Sequence, residues 1–123
     1  MGKEKLVTIG IIVLILLVAG AIIYNKTVGL AIKDTPSEEV AKYIGEHAVV
    51  YVQAGCHACT EQEKLFGDNW KYINSVDCTS SQENTQICIN LGIEGTPTWI
   101  INGQKYVGVQ SIEKLKELTG YQE

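Results

Sequence analysis

The sequence predicts a small α/β domain that follows a single membrane-spanning helix. An uncharged apolar run extends from Leu6 to Tyr24, which matches the length and composition of a spanning helix. Beyond it, short β-branched segments alternate with segments of helical periodicity. An Asn102-Gly103 pair between two such β segments predicts a hairpin near the C-terminus. The predicted order is helix, β, α, β, α, β-hairpin, α.

The apolar run is long enough to cross a bilayer. At about 1.5 Å per residue it spans roughly 28 Å, close to the thickness of the hydrocarbon layer. A cleavable signal peptide usually has an apolar core of about 7–15 residues, so we expect a retained anchor. Ala19-Gly20-Ala21 also satisfies a cleavage pattern, which leaves removal as the alternative. Lysines on both sides of the run decide its orientation only weakly.

Composition divides the chain into four predicted parts. They are a polar head at 1–5, a membrane anchor at 6–24, a linker at 25–34 with a short strand near 28–32, and a folded domain at 35–123. The last part has the size of one small domain with one hydrophobic core.

Charge and cysteine content narrow the class of protein. Lysine supplies all 10 basic side chains, against 14 acidic ones, and the formal net charge is −4. A mildly acidic chain without arginine is a poor candidate for nucleic-acid binding. Four cysteines follow the membrane-targeting segment, and an even number in that position favours an oxidising compartment outside the cytoplasm.

Local signals place the elements of the folded domain. Thr35-Pro36-Ser37-Glu38 has the form of a capping box with proline at the first helical position, and Gly45 is expected to end that helix. Ser111 is expected to cap the last helix, which ends near Gly120. Between them we predict strand 48–52, helix 59–66 before Gly67, strand 73–76, helix 84–91 before Gly92, and strands 98–101 and 104–107.

Cys56-His57-Ala58-Cys59 is the motif around which the folded domain is organised. Of two thiols at this spacing, one can attack a partner while the other resolves the mixed disulfide. The motif follows a predicted strand and opens a predicted helix, where the helix dipole stabilises the anion of the first sulfur. This context favours redox chemistry, with Cys56 attacking and Cys59 resolving. Half of a zinc site and a purely structural pair are the alternatives.

The order of elements resembles the thioredoxin fold, in which a central mixed sheet is flanked by helices. The resemblance rests on the Cys-X-X-Cys motif at the first strand-to-helix turn and on Gly95-Thr96-Pro97-Thr98 before the hairpin. It implies that Pro97 follows a cis peptide bond beside the active cysteines, whereas an ordinary loop proline is usually trans. It also implies that Thr96 offers its backbone to an incoming substrate strand.

A closer resemblance extends from Tyr51 to Tyr121. The matching blocks are Ala54-Gly-Cys-His-Ala-Cys59, Lys64-Leu-Phe-Gly67, Thr96-Pro-Thr-Trp-Ile-Ile-Asn-Gly103 and Tyr106-Val-Gly-Val-Gln-Ser-Ile-Glu113. They are similar to the thioredoxin-like domain associated with bacterial-type vitamin K epoxide reductase homologues. The resemblance implies a domain that takes electrons from exported proteins and passes them to a quinone-reducing membrane enzyme. We expect no cofactor and no metal in the domain itself.

Three positions near the motif bear on this resemblance. Gly55 stands where thioredoxins usually have tryptophan, and Val50 stands where a buried acid helps to deprotonate the second cysteine. Without that acid, a dedicated cytosolic reductase is less expected. His57 lies between the cysteines, where it either donates a hydrogen bond to the Cys56 thiolate or is a partly exposed turn histidine.

The related domains carry a second cysteine pair, and the resemblance therefore implies a structural disulfide between Cys78 and Cys88. A chain-entropy estimate for so short a loop is about 2.5–3 kcal/mol of stabilisation. One alternative is a zinc site shared with Cys56 and Cys59, although the spacing is unlike that of a ribbon or finger. The other is a redox relay between the two pairs.

Three functions compete. The first is a membrane-anchored thiol–disulfide oxidoreductase that oxidises exported proteins, with a vitamin K epoxide reductase-like partner and its catalytic domain on the extracytoplasmic side. The second is an extracytoplasmic disulfide reductase or isomerase, and the third is a thiol-based metal-binding module. For the first, we expect a reduction potential above about −220 mV, higher than that of thioredoxin.

Overall fold

The computed structural model of the protein describes residues 2–31 and 35–123. They divide between two compact units, Met1–Asp34 and Thr35–Glu123. The first unit contains one helix, α1 (Lys3–Ala31). Its segment Lys3–Tyr24 is, by length and composition, apolar enough to cross a membrane, and its apolar side chains are exposed.

Helix α1 continues beyond the predicted end of the anchor. The strand predicted near 28–32 is wrong for residues 28–31, which are helical. Residues 32–34 of the predicted linker lie outside the described residues. A helix satisfies its backbone hydrogen bonds within itself, whereas a strand needs a neighbour to pair with. The segment after the apolar run therefore extends the helix.

The second unit is built on a four-stranded mixed sheet. Its strands are β1 (Ala48–Val52), β2 (Ser75–Asp77), β3 (Thr98–Ile101) and β4 (Gln104–Val107), in the order β2-β1-β3-β4. β1 is parallel to β2, with Val50 opposite Ser75, and antiparallel to β3, with Val50 opposite Trp99. The β3–β4 pair is the predicted hairpin, and both Asn102 (φ 52°) and Gly103 (φ 76°) adopt the left-handed conformation.

Helices flank this sheet. Within residues 35–123 they are α2 (Glu38–His47), α3 (His57–Phe66), α4 (Gln82–Asn90) and α5 (Ile112–Thr119), with a 3-10 helix (Gly67–Tyr72) after α3. Helix α3 connects two parallel strands, and the hairpin and α5 follow. This arrangement confirms the predicted thioredoxin-like α/β fold preceded by an apolar helix.

Helix α2 begins and ends later than predicted. Its N-cap is Ser37, whose hydroxyl accepts a hydrogen bond from the N–H of Val40 at 3.3 Å, so the capping box predicted at Thr35 is not formed. Gly45 lies inside the helix rather than at its end. A Cβ atom at this position would overlap the carbonyl oxygen of Tyr72. Glycine at 45 therefore allows close packing instead of stopping the helix.

Three further elements are shifted from their predicted bounds. Helix α3 starts at His57 rather than at 59, and α4 runs from Gln82 to Asn90 because the hydroxyl of Ser81 caps it by accepting from the N–H of Asn84. Strand β2 occupies 75–77 rather than 73–76. The N–H of Ile73 donates to Trp70 at the end of the 3-10 helix, so it is not available to a strand.

The apolar core lies between the sheet and its helices. Its largest fully buried apolar side chains are Ile44, Val50, Phe66, Trp99, Ile101 and Leu115. The ring of Phe66, in the last turn of α3, lies 6.2 Å from that of Trp99 on β3. This contact packs α3 against the sheet and so positions the cysteines at its other end.

Candidate active site

The Cys-X-X-Cys motif lies where β1 turns into α3. Gln53-Ala54-Gly55 makes the turn, and Gly55 has a φ of +76°, in the left-handed region that favours glycine. The left-handed backbone of the turn therefore favours glycine at the position where thioredoxins usually have tryptophan.

Cys56 caps the helix that carries Cys59, and the two form a disulfide with Cα atoms 5.2 Å apart. The Sγ atom of Cys56 accepts a hydrogen bond from the backbone N–H of Cys59 at 3.1 Å. This sulfur lies at a helix N-terminus, where unpaired N–H groups and the helix dipole stabilise negative charge. Cys56 is partly exposed, whereas Cys59 is buried. An external thiol therefore reaches Cys56 first.

The loop before β3 forms the opposite wall of the site. The Thr96–Pro97 peptide bond is cis, as predicted. The hydroxyl of Thr96 donates a hydrogen bond to Sγ of Cys56 at 3.4 Å, and the carbonyl oxygen of Thr96 lies 3.5 Å from the same sulfur. Pro97 is buried, and its carbonyl oxygen accepts from the N–H of Gly108 at 2.8 Å. The structure thus brings Thr96 and Pro97 to the first cysteine of the motif.

His57 is exposed and lies beside Glu61. Its side chain is 88% exposed, and its Nε2 lies 3.9 Å from a carboxylate oxygen of Glu61, one turn along α3. Side chains four positions apart are neighbours on a helix surface, which explains this pairing. In the described part of the chain His57 makes no hydrogen bond to Cys56. Of the two expectations for His57, the structure therefore supports the exposed histidine and not the hydrogen bond to Cys56.

The base of the site is apolar. Val50 is fully buried in β1, and Cys59 belongs to the same apolar cluster. Within residues 35–123 the buried polar side chains are Gln62, Thr98 and Thr119, none of which is an acid. The position of the buried thioredoxin carboxylate is thus filled by core packing.

Gln62 is a site residue that the sequence reasoning missed. It lies one turn after Cys59, is fully buried, and its Oε1 accepts hydrogen bonds from Nε1 of Trp99 at 3.0 Å and from the N–H of Gln110 at 2.7 Å. The only signal in the sequence is its spacing. Cys59, Gln62 and Phe66 follow the i, i+3, i+7 spacing of one helix face, so a polar residue stands on the face that is buried.

Cys78 and Cys88 form a second disulfide, with Cα atoms 5.9 Å apart. It joins the end of β2 to helix α4. All four cysteines are therefore paired as the resemblance implies, and not in the four-thiolate arrangement of the zinc alternative. That this disulfide serves stability stays a prediction.

A cleft of about 280 Å³ extends the site from Thr96 toward the second disulfide. Gln53, Ile89 and Glu94 also line it. The wall that contacts Cys56 is thus continuous with a surface groove that carries both apolar and acidic side chains.

The loop after β2 supports the active-site turn. The carboxylate of Asp77 accepts hydrogen bonds from the hydroxyl of Thr79 at 2.7 Å and from its N–H at 2.8 Å, and these bonds lower the pKa of Asp77. The same hydroxyl accepts from the N–H of Ala54 at 3.2 Å. Ionised Asp77 therefore holds Thr79 in place beneath the turn that leads to Cys56.

No protein-family model matches the chain. Among curated proteins, the chain is 36% identical over 80 residues to thiol-disulfide oxidoreductase LTO1 of Arabidopsis thaliana. The alignment covers 60% of this chain and 21% of LTO1, so the chain matches about a fifth of that relative.

The solved structures that are similar to the chain include two thioredoxin-like proteins. The thioredoxin-like protein BC3987, solved as a point mutant, is 26% identical, with a TM-score of 0.44 over 58% of this chain and 96% of its own. The oxidised thioredoxin from Plasmodium falciparum is 19% identical, with a TM-score of 0.43 over 71% of this chain and 92% of its own. By its own strand order, and by the disulfide where β1 turns into α3, the segment 35–123 has a thioredoxin-like fold.

Proposed function

We propose that this protein is a membrane-anchored thiol–disulfide oxidoreductase that oxidises exported proteins and passes the electrons to a quinone-linked membrane enzyme. The observation that carries the proposal is the partly exposed Cys56 sulfur, disulfide-bonded at the start of α3 and contacted by Thr96. The similarity to a thiol-disulfide oxidoreductase of A. thaliana supports the exchange chemistry.

The oxidation proceeds by two thiol exchanges. A substrate thiolate attacks Sγ of Cys56, the Cys56–Cys59 bond breaks, and Cys59 leaves as a thiolate that takes up a proton. A second substrate thiolate then attacks the substrate sulfur of the mixed disulfide and releases the Cys56 thiolate. The substrate gains a disulfide, and its two electrons remain on the Cys56–Cys59 dithiol until a membrane acceptor removes them.

The environment of Cys56 favours this direction. A thiolate stabilised by a helix N-terminus makes the reduced form more stable and the disulfide more oxidising. The N–H of Cys59 and the hydroxyl of Thr96 are two hydrogen-bond donors to that sulfur. Val50 supplies no base that would help Cys59 to act in a reductase.

Helix α1 and the cysteine pairs support the proposed location. The helix has the length and composition to anchor the domain, and two disulfides are typical of an oxidising compartment. We therefore place the domain outside the cytoplasm. The membrane partner, an enzyme like vitamin K epoxide reductase, is proposed from the sequence resemblance.

Exchange with a dithiol substrate tests the activity. The full chain in detergent micelles should oxidise a reduced two-cysteine peptide, whereas Cys56→Ser should not. Turnover that survives this substitution would refute the proposed chemistry. Ile100→Val, a change on β3 without a role in the site, is the matched control and should retain activity.

The reduction potential tests the direction. Equilibration of the Cys56–Cys59 pair against glutathione buffers should give a value above about −220 mV, whereas a value near −270 mV would favour the reductase alternative. Membranes that contain the protein should reoxidise its dithiol only when quinone is present. Reoxidation of the dithiol that continues unchanged after quinone depletion would refute the proposed partner.

A further inference from the structure

Gln62 is unusual among the side chains that surround the disulfide because it is polar and has no exposed surface. A primary amide removed from water destabilises a protein unless its hydrogen bonds are replaced. Its position, three residues after Cys59, places it in α3, the helix that contains Cys59 and is capped by Cys56. The identity of its partners therefore shows what the buried amide holds in place.

The amide joins α3 to the loop after β4. Its Oε1 accepts from the N–H of Gln110 at 2.7 Å, and its Nε2 donates to the carbonyl oxygen of the same residue at 3.0 Å. Nε1 of Trp99 donates a further bond to Oε1 at 3.0 Å. Both backbone groups of Gln110 are thus paired with one side chain, an arrangement that fixes orientation as well as distance.

The same loop holds the opposite wall of the active site. The N–H of Gly108 donates to the carbonyl oxygen of Pro97 at 2.8 Å, and the side-chain amide of Gln110 donates to the carbonyl oxygen of Gly108 at 3.2 Å. Pro97 follows Thr96, whose hydroxyl donates to Sγ of Cys56. A path of hydrogen bonds, completed by the Thr96–Pro97 peptide bond, therefore runs from Gln62 through the loop to Thr96 and back to Cys56 at the start of α3.

We propose that Gln62 is a positioning residue for the dithiol, because it holds the start of α3 at the separation from Thr96 that keeps the Thr96 hydroxyl on the Cys56 sulfur. This inference rests on the proposed function, in which Cys56 is the reactive thiol. Hydrogen bonds to a thiolate stabilise the charged form. Loss of Gln62 should therefore make Cys56 less acidic and the disulfide less oxidising, in addition to any loss of stability.

The first test compares Gln62→Met with the wild-type full chain after selective reduction of the Cys56–Cys59 disulfide. Methionine keeps the length of the side chain but removes the three hydrogen bonds. The rate of iodoacetamide labelling of Cys56, followed against pH, should have a higher midpoint in the variant. At a pH below both midpoints, labelling should be slower in the variant by roughly three- to tenfold, since a tenfold change corresponds to one pKa unit. Equal midpoints in the two proteins would overturn the inference.

A control separates positioning from general destabilisation. Ile44→Val alters a fully buried side chain of α2 that lies outside the hydrogen-bond path, and it should lower the unfolding midpoint without moving the labelling midpoint. A labelling midpoint that moves as far in Ile44→Val as in Gln62→Met would mean that loss of stability alone explains the effect, and would overturn the inference.

Thr96→Val tests the other end of the path and does not depend on the folding of Gln62→Met. Valine has the shape of threonine without the hydroxyl, so the labelling midpoint of Cys56 should rise. If Gln62 acts through Thr96, the double variant should titrate like the more affected single variant, whereas additive shifts would overturn the inference. No shift in Thr96→Val would overturn it as well.

Failure of the proposed function gives a different result. A wild-type protein that does not oxidise the dithiol peptide refutes that function. The comparison of labelling midpoints uses neither substrate nor membrane partner, so it can fail or succeed independently of that assay.

Discussion

The hydroxyl of Thr96 donates a hydrogen bond to Sγ of Cys56 over 3.4 Å, although the two residues are 40 positions apart in the chain. The backbone N–H of Cys59 is a second donor to the same sulfur. Donors placed in this way stabilise a thiolate once the disulfide opens. The contact therefore distinguishes Cys56 chemically from its buried partner.

Cys56 should be the more reactive thiol of the reduced pair. It is partly exposed and stabilised as an anion, whereas Cys59 is 4% exposed. Iodoacetamide should modify Cys56 well below pH 8, although the pKa of an ordinary thiol lies near that pH. Peptide mass spectrometry identifies the labelled residue, and initial labelling of Cys59 would contradict the assignment.

Cys59→Ser should accumulate mixed disulfides with substrate proteins. Without the resolving thiol, Cys56 remains bonded to the substrate sulfur after reacting with a substrate disulfide. Non-reducing electrophoresis should show these adducts, and a reductant should cleave their disulfide bonds. Cys56→Ser is the control, and adducts of equal yield in that variant would show that Cys59 is the attacking residue.

Replacement of Cys78 and Cys88 by alanine should weaken the fold but spare exchange. The lost constraint on the unfolded chain corresponds to about 2.5–3 kcal/mol in the free energy of unfolding. Urea denaturation measures this loss, and the peptide oxidation assay measures exchange. Unchanged stability would contradict a structural role for the Cys78–Cys88 disulfide. Loss of exchange in a folded variant would favour the relay between the two cysteine pairs.

Gly45→Ala should destabilise the domain, although alanine normally stabilises the interior of a helix. The added Cβ would overlap the carbonyl oxygen of Tyr72, and we expect a loss of about 1–3 kcal/mol, as for other overpacked sites. Thermal unfolding checks this against Glu46→Ala, an exposed neighbour in α2 whose stability should stay close to that of the wild type. A more stable Gly45→Ala protein would contradict the packing role.

Asp77 should make the stability of the domain depend on pH in the acid range. The hydroxyl and N–H of Thr79 lower the pKa of Asp77 in the folded protein below its ordinary value of 3.8. The contribution of ionised Asp77 to the stability of the fold is therefore complete above its ordinary pKa. It is lost as the pH falls through the lower pKa of the folded protein. Asp77→Ala should reduce the loss of stability on acidification. Thr79→Val, which removes one donor, should show part of this change, and parallel curves for all three proteins would contradict the prediction.

Signals within a few residues predicted several elements with their bounds. The turn at Asn102-Gly103 requires two successive left-handed residues, and both strands of the hairpin have the predicted ends. The hydroxyl of Ser111 caps α5 by accepting from the N–H of Lys114 at 3.1 Å, and Gly120 ends that helix with a φ of +78°. The Cys56–Cys59 motif is local in the same sense, since its chemistry follows from its spacing and its place at a helix start.

Positions with distant partners could not be predicted in this way. Gly45 has the composition of a helix end, but the backbone at Tyr72 gives it a packing role instead. In the sequence Gln62 resembles a surface glutamine, but in the folded domain it is hydrogen-bonded to Trp99 and Gln110. A sequence pattern reports the conformational preference of a residue, whereas its hydrogen-bond partners depend on which strands and loops lie opposite in the folded chain. The chemistry of the cysteines is therefore encoded locally, and the environment that adjusts their reactivity is created by tertiary packing.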